Sequence, residues 1–372
     1  MLNVMTMVRH ILWRSAAIAF VSAAMLFPGA VAHAGSIAER IAGKILLQVE
    51  RHGEAWYVEP STLERYHLGR PKDAFAIMSG FGIGIASAEL DAYLAGTFPA
   101  RLSGRILLDV ERSGEAYYVS PDDLRGAYLG RPKDALRIMT DYGLGITDAD
   151  LAQIPRVLGY SEEGRTIAGY DIGSGGYCVL LIAGIHGGKE PGGKGMMDRF
   201  VDDLFSGTET VHPDKRALVI PLANPDGYFG RDDKLNANGV NLNRNFRTSE
   251  WVTGDADTTT YAGEAPFTER ESRVIRDIAA TCADGVMVSF HARGNFVNPE
   301  NSERSTALAR WYAENSGYEY YEGWYYHGTA TRWFEETVGG PAITVEMTDY
   351  TAHDWEMNRD PLRALVTDTL VF

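Results

Sequence analysis

The chain has 372 residues, of which 45% are hydrophobic and 23% charged, and a formal net charge of −15 at neutral pH. That balance excludes a disordered or fibrous chain, and the length accommodates two or more folded domains. The negative charge argues against nucleic acid as a partner, whose binding rests on neutralising phosphates with Lys and Arg.

Arg9, His10 and Arg14 form a basic start, residues 15–28 are almost wholly apolar, and Ala32-His33-Ala34 fits a small-x-small cleavage site. This pattern predicts a signal peptide over residues 1–34 and a periplasmic or extracellular mature protein; the apolar run falls short of the roughly 20 residues of a membrane span. The only cysteines are Cys178 and Cys282. Cys178 lies in an apolar run where a thiol acts as a small hydrophobe, so no bridge is expected.

Two repeat modules follow, over residues 35–96 and 97–155. Gly43-Lys44-Ile45-Leu46-Leu47 recurs as Gly104-Arg105-Ile106-Leu107-Leu108, a shift of 61 positions, and the same shift carries Leu68-Gly69-Arg70-Pro71-Lys72 onto residues 129–133. Each module reads as a β-hairpin followed by a helix that opens at Pro71 or its counterpart Pro132. Each is small for a stable domain, which predicts that the copies pack together. Trp56, Tyr57, Tyr117 and Tyr118 either fill the hairpin cores or form an exposed platform for cell-wall contact.

From residue 156 to 372 apolar strands alternate with amphipathic helices, the texture of an α/β domain. Strands are predicted at 177–183, 217–220, 285–290 and 342–345, and helices at 191–205, 268–281, 302–316 and 329–337. His186, His291 and Glu346 then fall at strand ends, where open α/β sheets bind ligands. His186 and Glu190 share one loop, and with His291 they form a His₂Glu set that suits one catalytic zinc. Gly187 and Gly188 would let that loop fold back. Arg244, beside Asn243, can grip a carboxylate through two parallel hydrogen bonds. Glu346 can act as general base, and Arg231 or Lys234 can face a developing oxyanion. Asn224-Pro225-Asp226-Gly227 reads as a turn.

Gly184-Ile185-His186, Asn224-Pro225-Asp226-Gly227, residues 236–246 (NANGVNLNRNF) and the Glu346 strand together resemble the zinc metallocarboxypeptidases of the carboxypeptidase A type, particularly their small bacterial, murein-peptide members. The resemblance implies a mixed, mostly parallel sheet of about eight strands sandwiched by helices. It implies one zinc held by His186, Glu190 and His291, a terminal carboxylate held by Asn243 and Arg244, and Glu346 as base. This chain departs from the family pattern in three ways. Three residues rather than two separate His186 from Glu190. Lys234 aligns with the oxyanion-facing arginine, so either Lys234 serves or Arg231 moves in. Tyr325, Tyr326 and, further off, Tyr321 compete as the substrate-capping tyrosine, with Trp324 at the simplest register. Thr331 and Arg332 fall near the family's specificity pocket, where a basic lining would favour acidic side chains. The expectation is an exported carboxypeptidase acting on peptides, peptidoglycan stems among them. Its rivals are an N-acyl amino acid deacylase of the same fold and a zinc-free wall-binding protein.

Overall fold

Short apolar runs in each repeat form strands buried at nearly every position: Ala55–Val58 is buried throughout, and Ile45–Gln48, Ile106–Asp109 and Ala116–Val119 at three of four positions each. The computed structural model describes residues 36–50, 53–206 and 210–372; the signal peptide expected at 1–34 lies outside them. The chain divides into two units between Ile154 and Pro155.

The first unit contains both repeats. Strands β1 (Ile45–Gln48), β2 (Ala55–Val58) and β3 (Arg65–His67) form an antiparallel meander, followed by the helix Pro71–Gly80 and strand β4 (Gly82–Ile85). Strands β5 (Ile106–Asp109), β6 (Ala116–Val119) and β7 (Gly126–Tyr128), the helix Pro132–Tyr142 and strand β8 (Gly143–Ile146) repeat that order. The last strand of each repeat leaves its own meander: β8 pairs in parallel with β1, and β4 with β5. Each repeat therefore completes the other's sheet. One core joins Ile45, Tyr57 and Met78 to Ile106, Tyr118 and Met139. The hydroxyl of Tyr57 donates to the Gly104 carbonyl at 2.8 Å, and that of Tyr118 to the Gly43 carbonyl at 2.9 Å. Trp56 is also buried and Tyr117 packs edge-on against Tyr128, so these aromatics fill cores instead of forming an exposed platform.

The second unit carries strands β9 (Arg156–Tyr160), β10 (Thr166–Gly173), β11 (Tyr177–Ile182), β12 (Lys215–Ile220), β13 (Gly285–Ala292), β14 (Phe296–Pro299), β15 (Glu319–Tyr320) and β16 (Ala342–Met347). They form one mixed sheet in the order β15-β14-β16-β13-β11-β12-β10-β9. Its centre, β16-β13-β11-β12, is parallel, and β11 is buried along nearly its whole length, as a strand covered on both faces must be. One face of the sheet packs Leu180, Ile182 and Met287 against Ile275 of the helix Arg270–Ala279 and against Trp333. The helices Gly192–Ser206 and Trp355–Thr367 pack on each other and on β12.

Two local expectations change. Asn224-Pro225-Asp226-Gly227 opens a six-residue helix, Pro225–Gly230, because the Asn224 side chain caps it by accepting from the Gly227 N–H at 2.8 Å and Pro225 suits the first turn. Cys178 and Cys282 form a disulfide, where none was expected. The parallel register that sets Cys178 opposite Gly285 brings Cys282, three residues before Gly285, alongside it.

Candidate active site

His291 and Glu346 are register partners on β13 and β16, so their side chains leave the sheet on the same face near the carboxyl ends of two parallel strands. His186 lies just beyond β11, the strand on the other side of β13. Between His186 and Glu190 the chain makes a tight 3₁₀ turn, Gly187–Lys189. Gly187 has φ +51°, and a Cβ on Gly188 would come within 2.1 Å of the Arg231 carbonyl oxygen. Glycine is thus required at both positions, and the turn absorbs the extra residue of this loop. The Asn224 amide ties the loop down by donating to the carbonyls of Ile185 and Leu235.

Three ligand-type groups converge here. His186 Nδ1 lies 2.9 Å from Glu190 Oε1 and 3.2 Å from His291 Nδ1, which is 3.3 Å from Glu190 Oε2. All three residues are buried. Burial pushes the His186 imidazole down to about 4, against the pull of Glu190, leaving it neutral at pH 7, as a metal ligand must be. Burial would raise Glu190, but His186 and His291 outweigh it and hold its carboxyl well below the usual range. Two imidazole nitrogens and a carboxylate meeting in a dry site are a donor set suited to zinc. On the far side of the His291 ring, Nε2 lies 3.0 Å from Ser289 Oγ and 3.3 Å from Asn243 Nδ2, contacts that fix the ring's orientation. Ser289 had drawn no attention in the sequence; its signal is the i, i+2 spacing that places it on the strand face of His291.

A cleft opens beside this cluster, lined among others by Lys234, Arg244, Glu300, Trp324, Tyr326 and Glu346. Asn243 and Arg244 sit on a short 3₁₀ turn, Leu242–Arg244, held by Asn241, whose side chain accepts from the Asn243 N–H at 3.0 Å. The guanidinium of Arg244 donates to the Asn243 carbonyl and lies 4.3 Å from the centre of the Tyr326 ring. It forms no ion pair among the described residues. Glu346 is 6% exposed, and its Oε2 has no hydrogen-bond partner among the described residues. Burial pushes it up to about 7, with His291 opposing the rise and Glu190 adding to it.

The remaining candidates separate. Lys234 lines the cleft and pairs with Glu190 Oε1 at 2.8 Å, whereas Arg231 is engaged by Asp233 at 2.9 and 2.6 Å and does not line it. Tyr326 lines the cleft with Trp324, while Tyr325 is 65% exposed and Tyr321 packs at a tilt against Phe296. Arg332 does not line the cleft either: its guanidinium is held by Glu336 at 3.0 Å and Glu250 at 3.6 Å. A second carboxylate group, Glu162, Glu269 and Glu271, is occupied by donors that include Asn236, Asn238 and the Glu162 N–H.

Residues 149–353, more than half of the chain, match the zinc carboxypeptidase family. The chain belongs to that family. It is 29% identical over 149 residues to murein peptide amidase A of Escherichia coli (strain K12), covering 36% of this chain and 56% of that protein. It is 29% identical over 180 residues to carboxypeptidase B of Astacus astacus, covering 42% of this chain and 57% of that one. The chain thus spans little more than half the length of these curated relatives. Among solved structures, bovine thrombin-activatable fibrinolysis inhibitor, in complex with a tick carboxypeptidase inhibitor, superposes with a TM-score of 0.50 at 18% identity, over 57% of this chain and 86% of that one. That likeness supports the α/β fold with its large mixed sheet.

Proposed function

We propose that the protein is an exported zinc carboxypeptidase that removes the last residue from peptides with a free C-terminus, with peptidoglycan stem peptides as its substrate class. The observation that carries the reading is Arg244, a guanidinium with no ion pair among the described residues, in the cleft that also holds His186, His291 and Glu346. Similarity to a murein peptide amidase supports the substrate class. The Cys178–Cys282 bridge and the basic-apolar start support export, since disulfides persist in oxidising compartments.

His186, Glu190 and His291 would hold the zinc. Bound there, the ion would supply Lewis-acid polarisation of the carbonyl and acidify a water. The protein's own groups do the rest. Arg244 donates parallel hydrogen bonds to the substrate's terminal carboxylate and fixes the register of the scissile bond. Glu346 accepts a proton from the attacking water as its oxygen bonds to the carbonyl carbon, then returns the proton to the amine nitrogen as the C–N bond breaks. Lys234 offers positive charge to the developing oxyanion, and Tyr326 covers Arg244 and excludes water from it. For the repeat unit the proposed role is contact with the cell wall.

Metal analysis of the purified protein tests the reading. It predicts one zinc per chain, lost together with residue release on chelation and absent from His186→Ala. Full hydrolysis by metal-free protein would contradict it.

A further inference from the structure

We propose that Asp354 is a positioning residue for Glu346: it grips the chain where β16 leaves the sheet and so fixes where the Glu346 carboxylate points. This rests on the carboxypeptidase reading and adds a residue to the machinery of that site.

Glu346 is buried, and its Oε2 has no hydrogen-bond partner among the described residues. Its direction is therefore set by the backbone that carries it. β13 and β14 clamp β16 from either side as far as its last two residues, with Phe296 opposite Glu346 and Ala292 opposite Met347. The Gly294 N–H closes this ladder on the Met347 carbonyl at 3.0 Å. Thr348 is the first residue beyond the strand, and there Asp354 takes over. Its Oδ2 accepts from the Thr348 N–H and its Oδ1 from the Thr348 hydroxyl, both at 2.7 Å. Two bonds to one residue fix both its place and its rotation, two positions from Glu346.

Asp354 is itself anchored in the core. The Tyr318 hydroxyl donates to its Oδ2 at 2.9 Å. Asn358, wholly buried on the helix Trp355–Thr367, donates to the Tyr318 hydroxyl at 2.8 Å and to the Asp354 carbonyl at 2.9 Å. The Asn358 side chain also accepts from the hydroxyl of Tyr312, a wholly buried residue of the helix Glu303–Ser316, at 2.7 Å. An unbroken chain of satisfied polar groups thus runs from that helix to the end of β16, and such networks rigidify what they join. Asp354 precedes the helix Trp355–Thr367 but does not cap it with its side chain, the usual use of an aspartate there. Its φ of +41° is rare outside glycine. That backbone conformation, like the carboxylate, serves the contact with Thr348.

The test measures kcat, KM and bound zinc on one peptide with a free C-terminus, for zinc-loaded wild type, Asp354→Asn, Glu346→Gln and the double variant. Asparagine fills the same volume and tolerates the same backbone, but its amide nitrogen must face one of the three donors. Asp354→Asn is expected to lose about 10- to 100-fold in kcat, the size of a small misplacement of a reacting group, with KM and zinc unchanged. In the Glu346→Gln background it should cost nothing further, because the group it positions is gone. Thr348→Val, which deletes only the hydroxyl donor, should give a smaller loss of the same form and carries the test if Asp354→Asn fails to fold. Wild-type kcat per zinc-loaded molecule, or losses that multiply in the double variant, overturns the assignment and leaves the carboxypeptidase reading standing. A wild type that hydrolyses no peptide counts against that reading instead. Crystal structures of wild type and Asp354→Asn then decide the positioning role: a displaced Glu346 carboxylate supports it, and a superposable one overturns it.

Discussion

Arg244 is a guanidinium on a short turn, braced by its neighbour's carbonyl and covered by the Tyr326 ring, with no carboxylate in ion-pair reach among the described residues. A half-buried cation without a counter-charge is costly, and the desolvation that lowers its affinity for a proton is offset once an anion arrives. Arg244→Ala should therefore reduce kcat/KM on free-carboxylate peptides by about 10²–10³-fold, the usual cost of deleting one partner of a hydrogen-bonded charge pair. Arg244→Lys should recover little of this, because an ammonium cannot make two parallel bonds. Comparing each peptide with its C-terminal amide checks the point: the wild type should discriminate strongly and the variant weakly. Asn243, Arg244 and the His186–Glu190 loop were legible in the sequence because short local motifs carry them. Glu300 was not, since it enters the cleft only through the pairing of β14 with β16. Arg231 and Lys234 lay three positions apart with equal claims, and the choice between them depended on the Asp233 carboxylate that occupies Arg231.

At the level of elements, the strand runs were readable from apolar continuity, and the helix at Pro71 from its proline. The order of strands was not, because register between β11 and β13 is set by contacts more than a hundred residues apart. The disulfide follows from that register. Each cysteine taken alone reads as a buried apolar residue, and only the sheet brings the two together. The bridge closes a loop of 104 positions, and in the chain-entropy account its removal costs about 2–5 kcal/mol. The double variant Cys178→Ala, Cys282→Ala should lose about that much in denaturant unfolding. Wild type in reductant should show the same shift, while peptide release per folded molecule stays unchanged. An unaltered midpoint would count against a stabilising role for the bridge.

For the whole molecule, the tandem repeat was plain from the 61-residue shift, but its consequence was not. The copies do not simply stack; each lends a strand to the other, and their backbones touch at Gly43 and Gly104. A Cβ on Gly43 would lie 2.4 Å from the Gly104 Cα, a Cβ on Gly104 would lie 2.3 Å from the Gly43 Cα, and both residues have φ above +70°. Gly43→Ala thus combines overpacking with an unfavourable backbone conformation and should destabilise the repeat unit by about 2–5 kcal/mol. Amide hydrogen exchange across β1, β2, β5 and β6 should quicken accordingly; unchanged protection would mean that the contact between the copies is loose. The copies were expected to pack together because each is small, but nothing local signals that the fourth strand is exchanged.

The most direct test of the central claim is mass spectrometry of a peptide incubated with zinc-loaded wild type and with the Glu346→Gln variant. Wild type should release single residues from the C-terminus and leave the C-terminal amide intact, while the variant should keep its zinc and lose about 10²–10⁴-fold in rate, the range of general base catalysis. Internal cleavage, or a variant as active as wild type, would contradict the account.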